Sequence, residues 1–425
     1  MTYPHKIAVL GSGGREHAIA WKLGKDIGPE NVFVLPGNAA IPNSHEVNIN
    51  SFDAVRDFCI KNNITRIFVG PEQPLAAGIV DFFKQTGIRV LGPDAAAARL
   101  ESSKIFAKEF MQRYGVQTAP FRTFDHIADA RRYVRAHGGP LVIKFDGLAG
   151  GKGVFVCGHT QNALAALDEL SRKYGDAARL VIEEKLDGDE ISVIGFTDGR
   201  DIFLLPPSQD HKQLLDGDRG PNTGGMGAFC PVPGWHDDLQ REIESKIIRP
   251  TLRGIAAEGM HYKGVVYFGI IITARGPYLL EYNVRLGDPE TEVLMPALRN
   301  NLAELMEACL NEEIGRHVPA FADGYFVDVV LASGGYPGDY ETGFPIEVRP
   351  TGDVRLFYAG VSAQGDRMVT AGGRVLHVVA QGADLDEAIA RAYAGVETVR
   401  FRTKYFRRDI GRRLNAILSG KTVAP

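Results

Sequence analysis

The sequence is poor in cysteine and has no excess of positive charge. Its four cysteines, among 425 residues, are scattered without a C-x-x-C pair, which argues against a disulfide framework and against a zinc cluster. The net charge of −4 excludes a global basic field for nucleic acid or an anionic membrane. No stretch approaches about 18 uninterrupted apolar residues, and the start, MTYPHKIAVLGSGG, lacks the pattern of a signal peptide. We therefore expect a cytoplasmic protein.

The length of the chain predicts two to four domains, and its 44% apolar and 24% charged residues are ordinary globular values. In the first hundred residues, short apolar runs such as KIAVL and ITRIFVG alternate with helical stretches. This alternation predicts a parallel sheet with helices on both faces. A second strand-rich region follows, and a third begins near Tyr325. The fold class predicted is α/β and α+β, in several domains.

Local patterns after residue 93 predict further elements. We expect a helix over 94–114, a hairpin turning at Asp198-Gly199, an irregular segment over 208–233, a helix over 237–258, the strand pair VVYFGIIIT and YLLEYNV, a helix over 290–310, a Gly-Gly hairpin in VTAGGRVLHVVA, and a helix over 384–398.

The first glycine loop, Gly11 to Glu16 (GSGGRE), lies between a strand and a helix. Backbone N–H groups at such a turn favour an anion. The dinucleotide pattern G-x-G-x-x-G lacks its third glycine, so a monophosphate held by the turn and Arg15 fits better. A tight turn without a ligand is the structural alternative. Gly37-Asn38-Ala39 and Gly70-Pro71-Glu72 also follow strands, where such sheets bind ligands.

The second glycine loop spans 144–154, KFDGLAGGKGV. Lys152 lies inside it, but Gly153 follows and no helix is predicted, so the Walker A pattern does not fit. A glycine-rich turn between two strands predicts a lid over phosphates. Lys144 lies in an apolar strand, where it needs an anionic partner unless it is on an exposed edge.

The segment VIEEKL, which ends at Leu186, joins two parts of the second region. Its backbone suits an adenine edge, with Leu186 against the ring and Glu190 near ribose hydroxyls. A solvated charge cluster at a turn is the alternative.

The strand YLLEYNVR carries the most informative polar residues. Period 2 places Glu281, Asn283 and Arg285 on one face. Glu281 and Asn283 offer the oxygen ligands that Mg²⁺ prefers, and Arg285 suits a transferring phosphoryl group. The polar face of a half-exposed strand is the alternative. Asp288, before Pro289, is the predicted N-cap of the next helix.

The long loop from Ser208 to Gly227 sets polar groups in a glycine-rich frame, which allows close approach to a ligand. His211 is predicted to bind or to support structure rather than to act as a general base.

Together, KFDGLAGGKGV, SQDHKQ, GPNTGGMGA, EYNVRLGDPET and AGGRVL resemble the phosphoribosylamine–glycine ligase family of the ATP-grasp superfamily, from Lys6 to about Arg412. The resemblance implies an N-terminal Rossmann-like domain over 1–101, an ATP-grasp region over 102–325 with a lid over 122–190, and a C-terminal domain over 326–425. Near the site, Phe145 stands where the family usually has Ala, and Glu292 where it has Gln.

The resemblance also implies the chemistry. ATP would phosphorylate glycine, and the amine of 5-phosphoribosylamine would attack the glycyl phosphate, with Mg²⁺ or Mn²⁺ as the metal. The implied catalytic residues are Lys144, Lys152 and Arg285, and the implied metal ligands are Glu281 and Asn283. ATP would contact Lys104, Lys144, Gly151, Lys152, Gly153, Glu183, Lys185, Leu186 and Glu190. Substrates would contact Gly13, Gly14, Arg15, Glu16, Asn38, Pro71, Glu72, Asp210, Lys212, Asn222, Thr223, Gly224, Arg285 and Asp288.

Three other functions are alternatives. An ATP-grasp carboxylase that uses bicarbonate is disfavoured by GPNTGGMGA together with SQDHK, and a nicotinamide-dependent oxidoreductase by the missing third glycine of the first loop. A non-catalytic nucleotide-binding regulator is disfavoured because Glu281 and Asn283 are both present. Only small-molecule partners are expected, with no nucleic acid and no membrane, and nothing in the sequence demands an oligomer, so a monomer is predicted.

Overall fold

The structure is a computed structural model that describes residues 3–148, 153–349 and 352–412. Its sheets mix parallel and antiparallel strands, and helices pack against them, as expected for an α/β and α+β chain. Within those ranges, no helix combines the length and the apolar character needed to cross a membrane.

The N-terminal region is a parallel sheet with helices between its strands. Its elements are β1 (Lys6–Gly11), α1 (Gly14–Ile27), β2 (Val32–Pro36), α2 (Phe52–Lys61), β3 (Ile64–Val69), α3 (Glu72–Ala76), α4 (Ile79–Phe83), β4 (Arg89–Pro93) and α5 (Ala95–Ser102). The strand order is β2-β1-β3-β4, and each neighbouring pair is parallel. The predicted sheet is therefore confirmed, and the loops after β1, β2 and β3 meet at one edge.

The next region forms a small sheet with its own core. Its elements are α6 (Lys104–Tyr114), β5 (Phe121–Phe124), α7 (Ile127–His137), β6 (Leu141–Phe145), β7 (Val154–Cys157), α8 (Thr160–Tyr174) and β8 (Leu180–Glu184). The antiparallel strands lie in the order β5-β8-β6-β7, so β6 is a central strand. Helices α7 and α8 cover this sheet and form a hydrophobic cluster with it, separate from the two larger clusters.

The central region extends the N-terminal sheet. Its elements are β9 (Asp189–Thr197), β10 (Ile202–Leu204), β11 (Gln209–Asp210), β12 (Gln213–Leu215), β13 (Arg219–Asn222), β14 (Gly227–Cys230), α9 (Asp237–Ile243), a π-helical turn (Glu244–Ile248), α10 (Arg249–Ala257), β15 (Tyr262–Thr273), β16 (Gly276–Asn283), α11 (Glu290–Ala297) and α12 (Leu302–Asn311). Strand β15 pairs with β9, β16 and the end of β4, which gives one eight-stranded sheet.

The C-terminal region completes a second large sheet. Its elements are β17 (Tyr325–Ser333), β18 (Glu347–Val348), β19 (Arg355–Tyr358), β20 (Val361–Gln364), β21 (Arg367–Thr370), β22 (Arg374–Gly382), α13 (Leu385–Val396), β23 (Val399–Arg400) and β24 (Lys404–Tyr405). The strand order is β11-β14-β17-β22-β19, with β24 also paired to β17. Two strands of the central region therefore belong to the sheet of the C-terminal region.

Two predicted helices are each interrupted in the structure. The helix expected over 94–114 is divided at Ser103, whose backbone is extended and whose hydroxyl accepts from Phe106 N as the N-cap of α6. The helix expected over 290–310 is divided between α11 and α12. Pro296 precedes the break, and Asn301 caps α12 through Ala303 N and Glu304 N.

Two further expectations were wrong. No Gly-Gly hairpin forms, because β21 pairs with β20 whereas β22 pairs with β17 and β19. The segment 208–233 is not irregular, since it contains β11 to β14, and β14 lies inside the second sheet. Strands β12 and β13 pair with each other, whereas β14 pairs with β17 far along the chain, which local patterns do not reveal.

Candidate active site

We call β16 and the residues up to Arg285, which carry the predicted metal ligands, the metal strand. Its polar residues gather at the end of β16. Strand β16 pairs with β15, so Glu281 lies opposite Gly269 and Asn283 opposite Tyr267. Burial alone would raise the pKa of Glu281, but nearby cations lower it to about 2. These cations are Lys212, Lys104, Lys144 and Arg285. Glu281 is therefore an ionised carboxylate surrounded by positive charge, together with the carboxamide oxygen of Asn283.

Arg285 lies just beyond β16 and joins the strand to the N-terminal region. Its guanidinium contacts Glu101 Oε1 at 2.9 Å and Glu72 Oε2 at 3.4 Å, and donates to Asn283 Oδ1 at 3.2 Å. Burial would lower the pKa of Arg285, but these carboxylates raise it. The second oxygen of Glu101 accepts from Val284 N at 2.7 Å. Arg285 and Asn283 therefore share one face, as predicted, although Arg285 itself is outside the strand.

Lys144 takes part in a buried ion-pair network. It lies on the central strand β6 with 5% exposure, so the edge-strand alternative does not apply. Its ammonium pairs with Glu183 and donates to Leu280 O at 2.9 Å. Lys108 of α6 pairs with the other Glu183 oxygen, and burial lowers the pKa of Lys108 to about 8. Glu183 thus holds two lysines beside the metal strand.

The second glycine loop, which belongs to the predicted lid, is only partly described. Gly151 and Lys152 lie outside the described residues, whereas Gly153 is buried and its carbonyl accepts from Phe145 N at 2.8 Å. The Phe145 ring stacks on Tyr174, with 3.8 Å between centroids. Lys104, at the start of α6, donates to Glu101 O at 2.9 Å.

The linker after β8 leads from the lid to β9. Lys185 pairs with Asp187 at 2.6 Å, and Leu186 is half-buried. Glu190 contacts Lys212 at 2.9 Å. Burial would lower the pKa of Lys212, but neighbouring acids, Glu190 above all, raise it well above its usual range. The linker and the long loop therefore meet.

Asp210 and Lys212 border a small cavity that is also lined by Glu190, Ile191, Ser192, Gly269 and Ile270. Burial and the charge of Glu290 raise the pKa of Asp210 well above its usual range. Glu290 Oε1 accepts from Ser192 Oγ at 2.8 Å and from Tyr267 at 3.0 Å.

His211 is buried, and its burial lowers its pKa to about 4. Gly411 N donates to His211 Nε2 at 3.4 Å. His211 is therefore held as a neutral group in the frame of the loop.

The glycine-rich end of the long loop is anchored from two directions. Thr223 Oγ1 donates to Lys212 O at 2.8 Å, and Asn222 Oδ1 accepts from Gln213 Nε2 at 3.3 Å. Gly224 N donates to the Tyr336 hydroxyl at 2.9 Å, and its carbonyl accepts from Arg374. The C-terminal region therefore fixes this loop.

The first glycine loop is organised by Glu16. This carboxylate accepts from Gly13 N at 2.7 Å and from Arg15 Nε at 2.6 Å, and Arg15 Nη1 donates to Leu286 O at 3.2 Å. A Cβ on Gly70 would lie 2.0 Å from Glu16 Oε1, so the loops after β1 and β3 are in close contact. Arg15 is buried and points toward the end of the metal strand.

The other two N-terminal loops contribute differently. Asn38 Nδ2 donates to Ser12 O at 2.8 Å and contacts the carbonyls of Tyr358 and Ala359 at 3.1 Å, which ties the glycine loop to the C-terminal region. Pro71 is the N-cap residue of α3, and Glu72 opens that helix. Burial would raise the pKa of Glu72, but Arg285 and Arg15 lower it.

The prediction that Asp288 caps a helix was wrong. Helix α11 begins one residue later, with Pro289 as the N-cap residue and without a side-chain cap. The carboxylate of Asp288 instead contacts Arg374 Nη2 at 3.0 Å. Arg374 thus reaches both Asp288 and the glycine-rich end of the long loop.

Several residues at this site were not singled out from the sequence. Lys108 follows Lys104 by one helical turn, a spacing that indicates a shared face. Arg374 lies in AGGRVL, which is one of the motifs on which the family resemblance rests, but no residue of that motif was assigned to the site. Asp328 and His377 interrupt apolar strands, and a buried charge in such a strand indicates a partner.

Structural comparisons define the class of this fold. The chain superposes with a TM-score of 0.69, at 17% identity, on the biotin carboxylase domain of Hydrogenobacter thermophilus 2-oxoglutarate carboxylase, covering 94% of this chain and 91% of that one. Residues 102–291 match the model for the phosphoribosylglycinamide synthetase ATP-grasp (A) domain. The class is therefore an ATP-grasp protein.

The family follows from matches along nearly the whole chain. Residues 5–101 and 326–413 match the N and C domains of phosphoribosylglycinamide synthetase. Phosphoribosylamine–glycine ligase of Clostridium acetobutylicum is 42% identical over 96% of this chain and 99% of its own length. The crystal structure of phosphoribosylamine–glycine ligase from Thermotoga maritima has a TM-score of 0.83 and 36% identity, covering 95% and 99% of the two chains. The chain belongs to the phosphoribosylamine–glycine ligase family.

Proposed function

We propose that the protein joins glycine to 5-phosphoribosylamine at the expense of ATP, giving glycinamide ribonucleotide, ADP and phosphate. The observation that carries this proposal is the ionised Glu281, which has Lys104, Lys144, Lys212 and Arg285 as neighbouring cations. Phosphoryl transfer needs positioned positive charge more than covalent chemistry. The relatives named as phosphoribosylamine–glycine ligases support the choice of substrates.

The donor set at the end of β16 fits a divalent cation with oxygen ligands. Glu281 is an ionised carboxylate and Asn283 offers its carboxamide oxygen, as Mg²⁺ or Mn²⁺ requires. Such an ion would neutralise charge on the ATP phosphates. Glu281 and Asn283 are the residues that would hold it.

In the proposed reaction, Lys104 and Lys144 neutralise ATP phosphates, and Arg285 orients the glycine carboxylate for attack on the γ-phosphorus. The resulting glycyl phosphate carries phosphate as a leaving group, which a free carboxylate lacks. The phosphoribosylamine nitrogen then attacks the acyl carbon, and phosphate departs. The residues position the reactants and neutralise charge, and no covalent enzyme intermediate is required.

The remaining assignments complete the proposed site. The linker carrying Lys185, Leu186 and Glu190 borders the nucleotide, and the lid with Gly151, Lys152 and Gly153 covers the phosphates. The glycine loops around Arg15, Asn38 and Glu72 meet at the edge where parallel sheets bind ligands, and they hold the phosphoribosyl group. Asp210, Lys212, Asn222, Thr223, Gly224 and Asp288 line the acceptor site.

A dropout assay tests this proposal. ADP release is measured with Mg-ATP, glycine and fresh phosphoribosylamine, omitting each component in turn, and the product is identified by mass spectrometry. ADP is expected only when all three are present.

The Lys144→Ala variant should release ADP at least about 100-fold more slowly while its circular dichroism spectrum is unchanged. Lys246→Ala, which removes a surface lysine paired with Glu242, is the matched control. Replacement of glycine by bicarbonate without loss of ADP release would overturn the choice of substrate.

A further inference from the structure

A cluster of buried ionisable groups lies beneath the first glycine loop. His377 of β22, Asp328 of β17 and Glu292 of α11 are each 0% exposed. Asp288 lies just before α11 and points into the same space. Gly14, the first residue of α1, closes the cluster: a Cβ there would lie 2.6 Å from His377 Nε2 and 2.7 Å from Glu292 Oε1. Elements of the N-terminal, central and C-terminal regions therefore meet at this point.

The polar atoms that face one another in the cluster lack hydrogen-bond donors. Among the described residues, neither oxygen of Glu292 receives a hydrogen bond from another side chain, and His377 Nε2 has no hydrogen-bond partner. The other imidazole nitrogen, His377 Nδ1, lies 2.7 Å from Asp328 Oδ2. Polar atoms buried in this way normally have partners. The side of the imidazole turned toward Glu292 is consequently available to a ligand.

The distances suit a single ion. His377 Nε2 is 3.6 Å from Glu292 Oε1 and 4.0 Å from Asp288 Oδ1, and the three ligand atoms lie within 4.8 Å of one another. Bonds of about 2.0–2.2 Å place tetrahedral ligands about 3.4 Å apart. His377 Nε2 therefore has to approach Glu292 Oε1 by about 0.2 Å and Asp288 Oδ1 by about 0.6 Å, and the two carboxylate oxygens start no more than 4.8 Å apart. The contacts of Gly14 leave no room for a larger ligand. Asp288 also contacts Arg374, which makes it the outermost of the three.

We propose that His377, Glu292 and Asp288 bind a divalent transition-metal ion of the Zn²⁺ type, with Asp328 orienting His377. One imidazole and two carboxylates are ligands that Zn²⁺ accepts. A carboxylate on the far imidazole nitrogen is the usual second partner of a metal-bound histidine, since it fixes the tautomer with Nε2 free to coordinate. The scattered cysteines excluded a cysteine-based zinc cluster, but they have no bearing on a site of this composition.

The proposed ion is separate from the one that Glu281 and Asn283 would hold. Its ligands come from α11, the residue Asp288 just before it, and β22, and it lies against the N-terminus of α1. In this position it crosslinks the central and C-terminal regions and packs against Gly14 of the N-terminal region. Its role is structural, and it touches the proposed acceptor site only through Asp288.

Metal binding by the full-length protein tests the inference directly. The chelator-treated protein is titrated with Zn²⁺ alone by calorimetry, and uptake is checked by elemental analysis. One equivalent should bind. Binding should be weakened at least about 100-fold in Glu292→Gln and in His377→Asn. The second substitution keeps a hydrogen-bond donor for Asp328 but removes Nε2. Asp328→Asn should weaken binding by about 10–100-fold. Two matched controls should bind Zn²⁺ as the unaltered protein does: Glu281→Gln, and His211→Asn, which alters another buried imidazole.

Two outcomes would overturn the inference. One is the absence of a stoichiometric Zn²⁺ site in the unaltered protein. The other is unchanged binding in His377→Asn, or binding that disappears in Glu281→Gln. If a variant fails to fold, pulsed paramagnetic resonance of the unaltered protein loaded with one equivalent of Cu²⁺ decides, because of the two proposed ion sites only this one contains an imidazole ligand.

Discussion

At the scale of single residues, the candidate site is built on charged side chains that are buried. Glu183 is 2% exposed and pairs with two lysines that are themselves buried. Such a network contributes little net stability, since desolvation offsets the attraction, but removal of one partner leaves a buried charge. The arrangement fixes where positive charge lies before any substrate binds, which is the condition for electrostatic catalysis.

Glu281→Gln should reduce stability in a pH-dependent manner. The folded-state pKa of about 2 lies below the ordinary 4.5, so this carboxylate stabilises the fold above pH 4.5 and loses that effect as the pH falls toward 2. The variant should be less stable by about 1–3 kcal/mol at pH 7, and the difference should shrink as the pH falls below 4.5 and be lost only below about pH 2. Urea unfolding at several pH values measures it. A difference in stability that is independent of pH would contradict the assignment.

Gly14→Ala should destabilise the protein by about 1–3 kcal/mol, because the added methyl group would overlap His377 and Glu292. Thermal unfolding provides the measurement. Gly158→Ala is the matched control, since a Cβ at Gly158 meets nothing within 4 Å. Equal melting temperatures for the two variants would mean that the loop above the cluster relaxes freely.

At the scale of elements, the break between α5 and α6 connects the N-terminal region to the lid. Ser103 Oγ donates to Asp146 Oδ1 at 2.8 Å while it caps α6. Asp146 follows β6 within the second glycine loop, so the Ser103 hydroxyl joins the N-terminus of α6 to the base of the predicted lid.

Ser103→Ala should therefore have two effects. Loss of the cap should cost about 1 kcal/mol, and loss of the contact with Asp146 should raise KM for ATP by about 3–10-fold. Ser51→Ala removes the cap of α2 and should lower stability similarly without changing KM. Melting curves and steady-state kinetics separate the effects. An identical KM in both variants would show that the lid does not depend on Ser103.

Individual elements were predictable where their signals are local. The hairpin at Asp198-Gly199 and the pair β15–β16 follow from apolar runs separated by turn residues. The interruptions at Ser103 and before Asn301 carry capping residues, so their signal was present but weaker than the helical periodicity around it. The pairing of β22 with β17 rather than β21 has no local signal, because the partner lies far back in the chain.

At the scale of the whole molecule, the two large sheets make the regions interdependent. Strand β15 joins the central region to β4, and β14 joins the C-terminal sheet through β17. The position of the metal strand was predictable from its own polar residues. The contacts of Arg374 and Asp328 were not, since they depend on this long-range pairing.

A chain that ends at Gly324 should be insoluble. It would expose the edge of β14 together with the apolar face that β17 and β22 cover, and such edges promote association. Soluble expression and size-exclusion chromatography measure the outcome, with the chain ended at Arg412 as the control. A soluble fragment with cooperative thermal unfolding would show that the central region folds without the C-terminal sheet.

The anchoring of the long loop also bears on synthesis. Tyr405 donates to Leu214 O across 191 residues, and Arg407 donates to Gln213 O across 194. A ribosome releases these anchors among the last residues of the described chain. The long loop therefore gains these contacts only after residues 405–407 have been synthesised.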